Sequence, residues 1–87
     1  MLMIKIIFFA RLRELLEIEQ LDFELKANHQ NTVKDILESL VEKYSVLAEY
    51  LEQDHQLMIA VNHLTADLNK EVQSGDELAF FPPVTGG

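Results

Sequence analysis

The chain has 87 residues, 48% of them apolar and 25% charged, with a formal net charge of −8 and no cysteine. That length allows one small domain with one modest core, and the absence of thiols excludes disulfides, cysteine-ligated metals, Fe–S clusters and thiol nucleophiles. The acidic balance argues against a nucleic-acid or anionic-membrane partner, because affinity for phosphate comes largely from Lys and Arg; it suits either a basic protein partner or simple solubility.

Met3 to Phe9 is rich in Ile and Phe and reads as a strand. With Lys5 facing solvent, Ile4, Ile6 and Phe8 point to the core and Ile7 and Phe9 share the other face. Ala10 to Glu17 carries Leu12, Leu15 and Leu16 at helical spacing. Leu21 to Leu25 alternates, with Leu21, Phe23 and Leu25 inward and Asp22 and Glu24 outward. Thr32 to Tyr44 is the strongest helix, with Val33, Ile36, Leu37, Leu40, Val41 and Tyr44 in one apolar stripe. Asn31 or Thr32 caps its start, and Asp35 sits in its first turn. Val46 to Gln53 reads as a further helical turn and Leu57 to Val61 as a strand. Asn62-His63 is a turn, and Leu64 to Ala66 a brief returning strand. Ser74-Gly75-Asp76 marks another turn, and Glu77 to Phe81 is the last strand, with Leu78 and Phe80 on one face and Ala79 and Phe81 on the other.

This order predicts an α+β fold of the ubiquitin-like β-grasp kind, a mixed sheet with one main helix packed across one face. If the first and last strands lie side by side, Ile7, Phe9, Ala79 and Phe81 form an apolar patch away from the helix, the mark of a protein interface. The domain is expected to span 1–81 and an extended tail 82–87. No apolar run approaches the ~18 residues of a membrane span, and Met1 to Lys5 lacks the basic start of a secretory signal, so a cytoplasmic location is expected.

Little else carries chemistry. His29, His55 and His63 are scattered without a metal-binding spacing, and no phosphate-binding glycine motif is present. The exception is the end, Phe80-Phe81-Pro82-Pro83-Val84-Thr85-Gly86-Gly87. Pro82 and Pro83 favour an extended course that loses little freedom on capture. Gly86 and Gly87 lack Cβ atoms and fit a narrow slot. The reactive group is then the Gly87 carboxylate, a poor electrophile until activated, for example by adenylation. A sulfur donor acting on the activated acyl group yields a thiocarboxylate.

Three stretches, FFPPVTGG at the end, IKIIFFARLREL at the start, and AVN followed by SGDELAFFPP, resemble the small-subunit family of molybdopterin synthase. The resemblance implies a sulfur carrier that is part of an enzyme and has no self-contained active site. It implies that Gly87 is adenylated by a ubiquitin-activating-type adenylyltransferase using ATP, then thiocarboxylated with sulfur from a sulfurtransferase. The tail of Pro82, Pro83, Val84, Thr85, Gly86 and Gly87 would enter the large catalytic subunit within a heterotetramer and deliver sulfur to cyclic pyranopterin monophosphate, building the molybdopterin dithiolene. Phe9 and Phe81, flanked by Ile7 and Ala79, would dock the partner. No cofactor or metal would be bound by this chain. A thiamine-type sulfur carrier, a protein modifier conjugated through Gly-Gly, and a plain adaptor domain are the competing readings.

Overall fold

The computed structural model describes residues 2–53 and 56–83. In chain order the elements are β1 (Met3–Phe8), α1 (Ala10–Leu16), β2 (Gln20–Glu24), α2 (Val33–Lys43), α3 (Ser45–Glu52), β3 (Met58–Val61), β4 (Leu64–Thr65) and β5 (Glu77–Phe81). The strands form one mixed sheet in the order β2-β1-β5-β3-β4. β1 and β5 run parallel in its interior, with Ile6 opposite Leu78 and Phe8 opposite Phe80; every other pairing is antiparallel. This is the β-grasp arrangement that the element order predicts.

Alternation along the strands decides which face is covered. Ile4, Ile6 and Phe8 of β1 and Leu78 and Phe80 of β5 are buried in one cluster with Val33, Ile36 and Leu40 of α2. The rings of Phe8 and Phe80 stack there with centroids 6.0 Å apart. α2 starts with a reciprocal cap: Asp35 N–H donates to Thr32 Oγ1 at 3.2 Å, and Thr32 N–H donates to Asp35 Oδ2 at 3.3 Å. Each bond satisfies a donor that a helix start or its flanking residue would leave open. Thr32 is therefore the capping residue, while Asn31 braces the preceding loop through Lys26 and His29.

The helical layer is fuller than the sequence suggests. α3 is an eight-residue helix that buries Leu47 and Tyr50, although Tyr44 at its start makes no side-chain cap bond. Its packing against α1 and α2 holds it in place of a cap. The core face is thus covered by α2 together with α1 and α3 rather than by one helix alone.

The β3–β4 hairpin closes on Asn62 and His63, both with positive φ (51° and 70°), the conformation that suits the twist of a two-residue hairpin. The Asn62 side chain then ties the hairpin to β5. Its Nδ2 donates to Asp76 Oδ1 at 3.0 Å, and its Oδ1 accepts from Glu77 N–H at 3.0 Å.

Candidate functional site

The sheet face turned away from the helices is organised in rows across the strands. One row is Ile7–Ala79–Ala60, since Ala79 is opposite Ile7 on one side and Ala60 on the other. The next row, towards the end of β5, joins Phe81 to Met58. Phe9 lies just past β1 and stays extended (φ −117°, ψ 156°), with its N–H donating to the Phe80 carbonyl at 3.1 Å. The Phe9 and Phe81 rings meet edge to face, centroids 6.4 Å apart and planes at 83°, a favoured aromatic geometry.

Exposure separates these residues. Phe9 is 45% exposed, and Ile7, Met58, Ala60 and Phe81 are half-buried. Ala79 is only 8% exposed. It forms the floor between Ile7 and Ala60 rather than part of the contact surface, because a methyl side chain between larger neighbours is shielded by them. Met58 and Ala60 extend the apolar surface beyond the four residues expected from sequence. Their alternation within Leu57 to Val61 hinted at it, but only the β3–β5 register brings them beside Phe81 and Ala79.

Local backbone geometry turns the chain off this face. Ala10 has φ 52°, a left-handed conformation that costs an L-residue with a Cβ roughly 1–2 kcal/mol. The reversal directs the chain from Phe9 into α1, where Leu12 is buried. At the same end of the patch, β5 ends at Phe81 beside Phe9, and the half-buried Pro82 and Pro83 follow. The apolar rows and the start of the tail are therefore adjacent in the chain and in space. Val84, Thr85, Gly86 and Gly87 lie outside the described residues.

Polar groups take the opposite end of the same face. Lys5 is opposite Asp22 on one side and Glu77 on the other, and Met3 is opposite Glu24. His63 Nε2 is 3.7 Å from Glu77 Oε1. His29 sits in the loop before α2, where its carbonyl accepts from Asn31 Nδ2, and His55 lies outside the described residues. Among the described residues no group of three His, Asp or Glu side chains is placed to hold a metal ion. A shallow groove of about 570 Å³ lies between the hairpin and the 66–76 connection, lined by Asn62, Leu64, Asp67, Lys70 and Glu71 among others. It opens beside the start of β5, away from the tail. No helix of the described residues is long and apolar enough to cross a membrane.

Comparison with known proteins matches residues 6–87 to the ThiS family. The molybdopterin synthase sulfur carrier subunit of Haemophilus influenzae is 38% identical over 85 residues, covering 98% of this chain and 100% of that protein. Among solved structures, SAMP1 from Haloferax volcanii superposes with a TM-score of 0.81 at 30% identity, covering 98% of this chain and 99% of the other. A complex of subunits 1 and 2 of the molybdopterin-converting factor from Helicobacter pylori contains a chain matching with a TM-score of 0.67 at 26% identity, covering 98% and 99%. A family match over nearly the whole chain, joined to this sheet order, leads to one conclusion: the chain belongs to the ThiS family of ubiquitin-like sulfur carriers.

Proposed function

We propose that this chain is the sulfur carrier subunit of a molybdopterin synthase. Residues 1–81 form the presenting domain and 82–87 the delivery tail. The carrying observation is that the outer-face aromatic pair of exposed Phe9 and half-buried Phe81 sits where the chain enters Pro82-Pro83, in a chain whose family match runs through to Gly87. Relatives named as molybdopterin synthase sulfur carrier subunits support the assignment.

In this reading a ubiquitin-activating-type adenylyltransferase uses ATP to convert the Gly87 carboxylate to an acyl-adenylate. Persulfide sulfur on a sulfurtransferase displaces AMP to give an acyl disulfide, and a thiol reduces that disulfide, releasing the thiocarboxylate on Gly87 and the oxidised thiol as a disulfide. The large subunit then takes up the apolar face through Phe9, Phe81, Ile7, Met58 and Ala60. Its active site receives Val84, Thr85, Gly86 and Gly87, and the sulfur passes to cyclic pyranopterin monophosphate. The two-subunit Helicobacter pylori complex supports a partner of this kind. The chain binds no cofactor of its own and acts in the cytoplasm, with no enzyme centre of its own.

The test is reconstitution. Chain carrying a Gly87 thiocarboxylate, mixed with the large subunit and cyclic pyranopterin monophosphate, is expected to form the dithiolene product, and the unmodified carboxylate chain none. Equal inactivity of both forms with a large subunit that works with another carrier would contradict the assignment. A second reading, a protein modifier conjugated through Gly-Gly, is favoured by the likeness to SAMP1, named a small archaeal modifier protein. Lysine-linked conjugates of this chain in cells would support it.

A further inference from the structure

The outer sheet face is divided along the strands. Its tail end is apolar, with Phe9, Phe81 and Met58 in one row and Ile7, Ala79 and Ala60 in the next. Its other end is charged: Asp22, Lys5 and Glu77 share a row, and Glu24 follows opposite Met3. Lys5 is the one cation in those rows, so three carboxylates outnumber it on a face of a chain whose formal net charge is −8. Asp22 and Glu24 are exposed along the sheet edge, and among the described residues neither makes an ion pair within 4.0 Å. Glu77 has His63 Nε2 at 3.7 Å, and Arg13 of α1 is already 3.9 Å from Glu19.

We infer that this border selects the occupant of the apolar rows: a partner whose apolar socket is edged by cationic side chains on the side that meets β2, and not a second copy of this chain. The inference rests on the sulfur-carrier reading and adds the electrostatic character of the partner to it. Two arguments favour that occupant. First, the exposed apolar side chains are far fewer than the roughly 20–30 residues a side of a standard stable interface. The rows need additional contacts to hold a partner, and the tail that starts beside them is the contiguous source. A second copy meeting this one face to face would take up the rows without a slot for the tail. Second, two copies meeting through this face with strands parallel would bring their carboxylate borders together, and like charges juxtaposed at an interface oppose binding; with strands antiparallel the borders would fall on opposite sides and gain no match from each other. A cation-edged socket turns the same charges into an attraction that acts mainly on the rate of encounter. Phe81 and the border therefore have separable effects, one on residence time and the other on association.

The experiment measures association and dissociation rates with the large synthase subunit by stopped flow, for wild type, Asp22→Asn/Glu24→Gln, Asp22→Lys/Glu24→Lys and Phe81→Ala. Raising NaCl from ~50 to ~500 mM is expected to slow wild-type association about tenfold, as for steered encounters screened by salt. The neutral double variant should associate several-fold more slowly at low salt, converge with wild type at high salt, and dissociate at the wild-type rate. The reversed variant should be slower still. Phe81→Ala should keep its salt dependence and dissociate faster. Sedimentation at high protein concentration should show monomeric wild type, and thermal unfolding checks that each variant is folded. Wild-type binding with salt-independent association, unchanged in both border variants, would overturn the inference while leaving the carrier reading intact. A wild-type homodimer broken by Phe81→Ala would overturn it in favour of the second copy. No binding of wild type to the large subunit would overturn the carrier reading and the inference with it.

Discussion

Phe80 and Phe81 are neighbours in sequence with opposite tasks, and their truncation is expected to separate folding from partner binding. Phe80 is 1% exposed and stacks on Phe8 at 6.0 Å in the core. Phe80→Ala removes a full ring from a filled site, at a cost of about 3–5 kcal/mol. A domain of this size has a total stability of only about 4–13 kcal/mol. The variant should therefore lose more than ~12 °C in Tm, at ~4–8 °C per kcal/mol, or fail to fold. Phe81 is half-buried on the outer face, and its described ring contact is the edge-to-face pair with Phe9 at 6.4 Å. Losing that pair costs about 0.5–1.5 kcal/mol beyond the ring's own partial burial, so the total should stay below the cost of a fully buried ring. Binding to the large subunit should suffer far more, because a buried aromatic anchor is worth about 2–4 kcal/mol, or ~30–1,000-fold in Kd. Urea unfolding and calorimetric titration of both variants read the two quantities. The reasoning fails if Phe81→Ala destabilises the fold as much as Phe80→Ala, or if it binds with wild-type affinity.

Further expectations concern backbone and cap. Ala10→Gly should be neutral or stabilising by up to about 1 kcal/mol in urea unfolding, despite placing glycine at a helix start, because it relieves the positive φ; a loss of 1 kcal/mol or more would contradict the left-handed assignment. Thr32→Ala should cost about 1 kcal/mol by removing half of the reciprocal cap, measured in the same way. The Thr32 backbone N–H, then its hydroxyl, hold the Asp35 carboxyl below its ordinary value of 3.8, with His29 and Lys26 adding to the effect against partial desolvation. A depressed folded-state pKa means that this contribution is fully present above the unfolded value and is lost as pH falls through the folded one. Asp35→Asn should therefore show a smaller loss of stability than wild type on acidification below about pH 4, and identical acid profiles would contradict the cap's role.

Much of this arrangement was legible because it is encoded locally. Period-two alternation placed Ile4, Ile6 and Phe8 on one face and Ile7 and Phe9 on the other, and the Val33–Tyr44 stripe located α2. Non-local features were not legible. Met58 and Ala60 join the outer patch only through the β3–β5 register, a pairing no short-range pattern specifies. Ala79 becomes floor rather than surface because Ile7 and Ala60 flank it, again a consequence of register. α3 shows in the sequence only as a helical turn, because Tyr44 gives no capping signal and the helix relies on packing against α1 and α2. The tail residues were readable as chemistry, from proline stiffness and glycine slimness, with no reference to the fold.

In the proposed function the transferable sulfur resides on Gly87. Intact-mass spectrometry of the chain isolated from cells actively making molybdenum cofactor tests it most directly. A fraction with one oxygen-to-sulfur exchange, mapped to the Gly87 carboxyl by fragmentation and lost when the adenylyltransferase is deleted, is the predicted result. Unmodified chain throughout, under the same active synthesis, would contradict it.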